Sequence, residues 1–99
     1  KLFLILLILK LTKMLESRIQ NKIIKKLEQD GYFVLKLIKT NKNGICDLIA
    51  VKENETIFIE VKRPDGVLSE LQKVRIKELR GRCINVKIWT GYEQDFCEK

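Results

Sequence analysis

Three side chains near the middle of this chain, Asp47, Glu60 and Lys62, have the types and spacing to do chemistry on a charged substrate. Glu60 and Lys62 lie in the stretch Ile57-Phe58-Ile59-Glu60-Val61-Lys62, and Asp47 opens the preceding apolar run Asp47-Leu48-Ile49-Ala50-Val51. The β-branched and aromatic content of the first stretch predicts a strand, bounded by Glu53-Asn54-Glu55 before it and Arg63-Pro64-Asp65-Gly66 after it. Side chains alternate along a strand, so Glu60 and Lys62 share one face with Phe58, while Ile57, Ile59 and Val61 take the other. The short link between the two runs makes them an antiparallel hairpin. A loop of Asn54 and Glu55 sets Glu53 opposite Thr56, Asp47 opposite Lys62 and Ile49 opposite Glu60. Asp47 and Glu60 are then diagonal neighbours, roughly 7–8 Å apart between backbone positions, and their carboxylates can converge on one cation. The same residues also read as a surface strand with a cross-strand Asp47–Lys62 ion pair. Spacing alone leaves both readings open.

Composition narrows the chemistry. The chain has 99 residues and no histidine, so histidine-based acid–base or triad catalysis is excluded. Its cysteines, Cys46, Cys83 and Cys97, include no close pair, and a structural zinc site normally needs four Cys or His ligands. Reduced cysteines suit a cytosolic setting better than a secreted one. An enzyme with this composition has oxygen ligands and lysine to work with. Twenty Lys and Arg against 13 Asp and Glu give a net charge of +7, which suits a polyanionic partner. Residues 1–13 carry lysines and no acid, yet the excess persists without them. A chain of this length makes one small domain.

The elements that must position these residues follow from pattern. Residues 1–9 are almost continuously apolar, too short a run to span a bilayer and without the small-residue cleavage site of a signal peptide. Met14 sits just before the first well-patterned segment and reads as the natural start, which makes residues 1–13 an apolar leader that is not native. A self-association segment or a weak membrane contact are the alternatives. Ile19, Ile23, Ile24 and Leu27 predict a helix over 15–30, stopped by Asp30-Gly31, with Glu16 and Gln20 at the start of its inward stripe. An acid in a first turn ordinarily complements the helix dipole, but this position also allows a ligand role. Tyr32 to Lys39 reads as a strand, Thr40-Asn41-Lys42-Asn43-Gly44 as a turn, and 45–52 and 56–62 as the hairpin. Ser69-Glu70-Leu71-Gln72 matches a capping box opening a helix to about Arg80, which Gly81 closes, and 84–89 forms a last strand. A strand–helix–strand link of this length implies a parallel crossover. Gln72 and Arg75 lie on the helix stripe facing the sheet edge where Glu60 and Lys62 end. Capping explains Gln72 equally well, and Arg75 has a stem that can cover core while its charge reaches solvent.

Taken together, these residues resemble the PD-(D/E)xK nuclease signature and, more narrowly, the VRR-NUC domain (virus-type replication-repair nuclease). The matching runs are Glu16-Ser17-Arg18-Ile19-Gln20, Thr40-Asn41-Lys42-Asn43-Gly44, Asp47-Leu48-Ile49-Ala50, Phe58-Ile59-Glu60-Val61-Lys62-Arg63-Pro64 and Leu68-Ser69-Glu70-Leu71-Gln72. A lone D…ExK is weak, whereas these runs in order at family-like spacing are strong. The resemblance implies an α/β fold with a restriction-endonuclease-like αβββαβ core, a four-stranded mixed sheet, and a nuclease domain over residues 14–99. It implies a Mg²⁺-dependent DNA endonuclease, with Mn²⁺ also acceptable. Glu16, Asp47, Glu60 and the Val61 backbone would hold the metal, Lys62 would be the catalytic lysine, and Gln72 would match the glutamine of the following helix. Lys39, Lys42, Arg63, Lys73 and Arg75 flank these positions as expected phosphate contacts. Stand-alone relatives of viral type imply cleavage of branched or four-way-junction DNA, in replication, recombination or repair, by a homodimer in the cytoplasm of a bacterial or phage-infected cell. No membrane partner is expected if translation starts at Met14. One departure is Cys46, where the family has proline before the aspartate. A non-catalytic DNA-binding module is the alternative, but such a relative should have lost Asp47, Glu60 or Lys62, and all are present. A membrane-associated accessory protein rests on residues 1–9 alone.

Overall fold

The hairpin forms the centre of a mixed sheet in the computed structural model, which describes residues 1–90; Cys97 lies outside them. The elements run α1 (Leu2–Gln29), β1 (Phe33–Lys36), β2 (Leu48–Lys52), β3 (Glu55–Val61), α2 (Glu70–Arg80) and β4 (Asn85–Trp89). The sheet order is β1-β2-β3-β4, with β1/β2 and β2/β3 antiparallel and β3/β4 parallel, as the crossover through α2 requires. The αβββαβ order and the four-stranded mixed sheet are therefore as the sequence implies.

Each helix covers one face. Ile23 and Leu27 of α1 pack on Leu48, Ala50, Ile57, Ile59, Val61 and Trp89. Ile76 of α2 packs with Cys46 and Val86 on the other face, flanked by Phe58, Leu68, Leu79 and Ile84. Strand β3 is thus covered on both sides, and the face that α2 covers contains a carboxylate, Glu60, which is only 1% exposed.

Several boundaries differ from the sequence reading. The hairpin turn is Glu53-Asn54, with Lys52 paired to Glu55, Ile49 to Phe58 and Leu48 to Ile59. The expected loop of Asn54 and Glu55 is off by one step, because Asn54 takes the left-handed position (φ 55°) that asparagine tolerates, which frees Glu55 for the ladder. The expected Asp47–Lys62 and Ile49–Glu60 pairings are therefore not formed. Strand β1 is shorter than Tyr32–Lys39; after Lys36 only the Leu37 amide, donating to the Asp47 carbonyl at 2.8 Å, continues the contact. Helix α1 starts at Leu2 rather than near residue 15, because nothing in the leucine- and isoleucine-rich segment breaks it. Its first half buries nothing: Leu2 to Leu9 are all exposed. Among the described residues, no helix is long and apolar enough to cross a membrane. Helix α2 does end at Arg80 with Gly81 as its cap, as expected, but Gly81 is right-handed (φ −65°) and the left-handed residue that follows is Cys83 (φ 64°). The amide of Cys83 bonds the Arg80 carbonyl and that of Ile84 the Leu79 carbonyl, so the helix ends in a Schellman-type turn beyond Gly81.

Candidate active site

The site forms where the hairpin opens. The Asp47 amide donates to the Ile59 carbonyl at 3.1 Å, although Ile59 is already the ladder partner of Leu48. Two residues of one strand stand against one of the other, the pattern of a β-bulge, and bulges re-aim side chains at the ends of ladders. Here the bulge directs the Asp47 carboxylate across the strands, where Oδ2 accepts the Val61 amide at 2.8 Å. Asp47 and Glu60 do come together, but through this bulge rather than as diagonal neighbours on a regular ladder.

Glu60 is held from the other side by α2. The Gln72 Nε2 donates to Glu60 Oε2 at 3.1 Å, while Gln72 Oε1 accepts the Ser69 amide at 2.9 Å. A backbone N–H can only donate, so Oε1 must face Ser69 and the amide nitrogen must face Glu60. The Ser69 Oγ in turn accepts the Gln72 amide at 3.1 Å, completing the capping box. Capping and site support, alternatives in the sequence, are thus done by the two ends of one side chain. The other oxygen of Glu60, Oε1, is buried and has no hydrogen-bond partner.

Burial pushes the Glu60 carboxyl up from 4.5 to about 8, with the neighbouring Asp47 carboxylate adding to it, Lys62 opposing, and the Glu16 charge contributing least. The Cys46 thiol is likewise pushed up to about 12, first by burial and then by the charges of Glu60 and Asp47. It serves as apolar filling under the carboxylates, not as a nucleophile.

The remaining expected residues are spread around this centre. Lys62 follows Glu60 with its amide donating to the Trp89 carbonyl at 2.9 Å, and Arg63 comes next. Glu16 stands at the rim, its carboxylate 4.0 Å from Arg63 Nε, and Arg63 also lies 3.9 Å from Asp65. Among the described residues no three Asp, Glu, Cys or His side chains are drawn into one metal-holding group, so the structure gathers Asp47 and Glu60 and leaves Glu16 apart. Lys73 lies 3.6 Å from Glu70 on the exposed first turn of α2. Arg75 donates through Nε to the Asn43 carbonyl at 2.9 Å and through Nη1 to Glu78 at 2.8 Å. Lys39 and Lys42 line, with Thr40, Asn43, Gly44 and Asp47, a depression of about 320 Å³. Two supports were not singled out from sequence. The Val61 amide was missed because a bulge leaves no pattern, whereas Gly44 was legible as a turn residue but not as a contact of α2.

Comparison with known proteins bears on the family and the fold. The VRR-NUC domain model matches residues 4–93, from the first turns of α1 through β4. A solved structure described as a VRR_NUC domain aligns with a TM-score of 0.75 at 25% identity, over 84% of this chain and 91% of that one. A UPF0102 protein of Thermotoga neapolitana is 35% identical over 54 residues, 54% of this chain and 50% of that protein. The chain therefore spans about half the length of this curated relative. With the match extending over both helices and every strand, this chain belongs to the VRR-NUC domain family, a domain of nuclease type.

Proposed function

We propose that this domain is a metal-dependent endonuclease that hydrolyses DNA phosphodiester bonds, acting as a homodimer on branched DNA such as four-way junctions. The observation that carries the reading is the buried, unpartnered Oε1 of Glu60 beside Asp47. A buried carboxylate oxygen without a partner is costly, and a cation is the partner that would offset the cost. The donors are hard oxygens, which suit Mg²⁺ or Mn²⁺ and not a thiolate-seeking metal. Asp47 and Glu60 would hold it, with Glu16 and the Val61 carbonyl as the nearest candidates to complete the set.

A bound divalent ion of this kind supplies a water of lowered pKa and neutralises charge on the attacked phosphate. The chain's own residues do the rest. Gln72 fixes one oxygen of Glu60 and so aims the other. The Val61 amide fixes Asp47. Lys62, just past the end of β3 and near enough for its charge to act on Glu60, would stabilise negative charge developing on phosphate or orient the nucleophile. The net charge of +7 favours a nucleic-acid partner. The small surface of one domain, set against the size of branched DNA, favours a dimer.

The test is incubation of the purified protein with linear, flapped and four-way-junction DNA, with and without Mg²⁺ or Mn²⁺, beside Glu60→Gln. Divalent-dependent cutting that favours the junction, lost in the variant, is expected. Cutting that persists in chelator or in the variant would overturn the assignment. Sedimentation of the active species as a monomer would remove the dimer.

A further inference from the structure

We infer that Arg75 is a positioning residue that fixes the 37–47 loop against α2, so that Lys39 and Lys42 receive a DNA backbone phosphate flanking the one cut. The inference rests on the nuclease reading above and deepens it.

The depression is lined by Lys39, Thr40, Lys42 and Asn43 together with Asp47, and its reach to Asp47 makes it the ground on which a neighbouring phosphodiester would rest. Its cations belong to a loop, and a loop holds charges at a fixed distance only if something fixes the loop. Two contacts with α2 do this. The Arg75 Nε donates to the Asn43 carbonyl at 2.9 Å. Gly44, at φ +77°, lies so close to α2 that a Cβ there would stand 2.7 Å from Leu71 Cγ. Within the loop, the Thr40 hydroxyl donates to the Lys42 carbonyl at 2.7 Å.

Arg75 is not itself arranged as a phosphate ligand. Its Nε is bonded to Asn43, its Nη1 to Glu78, and its side chain is 21% exposed. One turn earlier on the same helix, Gln72 holds Glu60. Leu71, Gln72 and Arg75 therefore tie the cation-bearing loop and the candidate catalytic carboxylate to a single rigid element. The spacing between a flanking phosphate and the scissile one is then set by α2, not by the loop.

The experiment is a mutant cycle on the full chain with four-way-junction DNA. Wild type, Arg75→Ala, Arg75→Lys, Lys39→Ala/Lys42→Ala and the triple variant are compared by anisotropy in chelator across salt, and by cleavage kinetics with Mg²⁺. A positioning role predicts that Arg75→Ala lowers the salt slope as much as the double lysine variant does, about 0.9 per lost phosphate contact. It predicts a rise in KM larger than the fall in kcat, and a triple variant no worse than the double. Arg75→Lys should fail like alanine, because one ammonium cannot bond Asn43 and Glu78 in the guanidinium's geometry. Additive losses, with Arg75→Lys retaining wild-type binding, would make Arg75 a direct phosphate contact and overturn the inference. An unchanged salt slope with only a lower melting temperature would overturn it as well. If wild type binds and cuts while the cycle is additive, only this inference falls. If wild type neither binds nor cuts, the nuclease reading falls and takes it along.

Discussion

Glu60→Gln keeps the shape of the side chain and its ability to accept from Gln72, while removing the charge that burial opposes. The Glu60 carboxyl ordinarily titrates at 4.5 and is held at about 8 in the folded protein. The folded state therefore binds this proton more tightly than the unfolded chain does between those values. Its contribution to stability is fully present below about pH 4.5 and is lost as pH rises toward 8. Each pH unit of separation corresponds to about 1.4 kcal/mol, so the metal-free protein should lose on the order of a few kcal/mol across this window. For a domain of this size 1 kcal/mol moves the melting temperature by about 4–8 °C, so the effect is easily measured. In chelator, wild type and variant should melt together near pH 5 and diverge progressively toward pH 8, with the glutamine variant the more stable. Adding Mg²⁺ at pH 8 should raise the melting temperature of wild type and leave the variant unmoved. The readout is thermal unfolding by circular dichroism over pH 5–9, with and without the ion. A wild-type-minus-variant difference that stays flat with pH would refute the claim that Glu60 is a buried carboxylate waiting for a cation.

The remaining expectations concern chemistry, helix ends and the core. Lys62→Ala should leave cation binding intact by calorimetry yet cost on the order of 10²–10³ in single-turnover rate, the usual effect of losing one electrostatic stabiliser. Cys83→Gly relieves a left-handed residue at the end of α2, and denaturant unfolding should show a gain of up to about 1 kcal/mol once the greater freedom of glycine in the unfolded chain is offset. Leu27→Ala empties a fully buried position between α1 and the sheet, and should cost about 2–5 kcal/mol in the same assay.

What the sequence made legible was local. The capping box at Ser69 and Gln72 depends on four consecutive residues and formed as expected. The order of strands followed from apolar runs and turn residues. The hairpin register was less determined, because Asn54 fits a turn either as first or as second loop residue, and only the ladder decides. The N-terminal half of α1 was illegible as helix because amphipathic spacing was the signal sought, and a run apolar on every side has none. The end of α2 at Arg80, capped by Gly81, was legible from residue type, whereas the left-handed Cys83 two residues later was not. At the site, types and spacing indicated Asp47, Glu60, Lys62 and Gln72. The double use of the Gln72 amide and the hook of Asp47 onto Val61 are tertiary, and no single stretch of sequence contains both partners of either bond.

The bulge at Asp47 has a consequence for how this domain can change length. Deleting Asp47 itself would let the preceding residues continue the ladder in register and offer the Val61 amide an ordinary carbonyl in place of a carboxylate. Such a shortened hairpin would be the more regular sheet and would lack one of the two facing carboxylates. A deletion at this point, or redesign toward ideal strands, would therefore tend to produce well-folded relatives of this domain that keep Glu60 and Gln72 but have lost the carboxylate turned toward them.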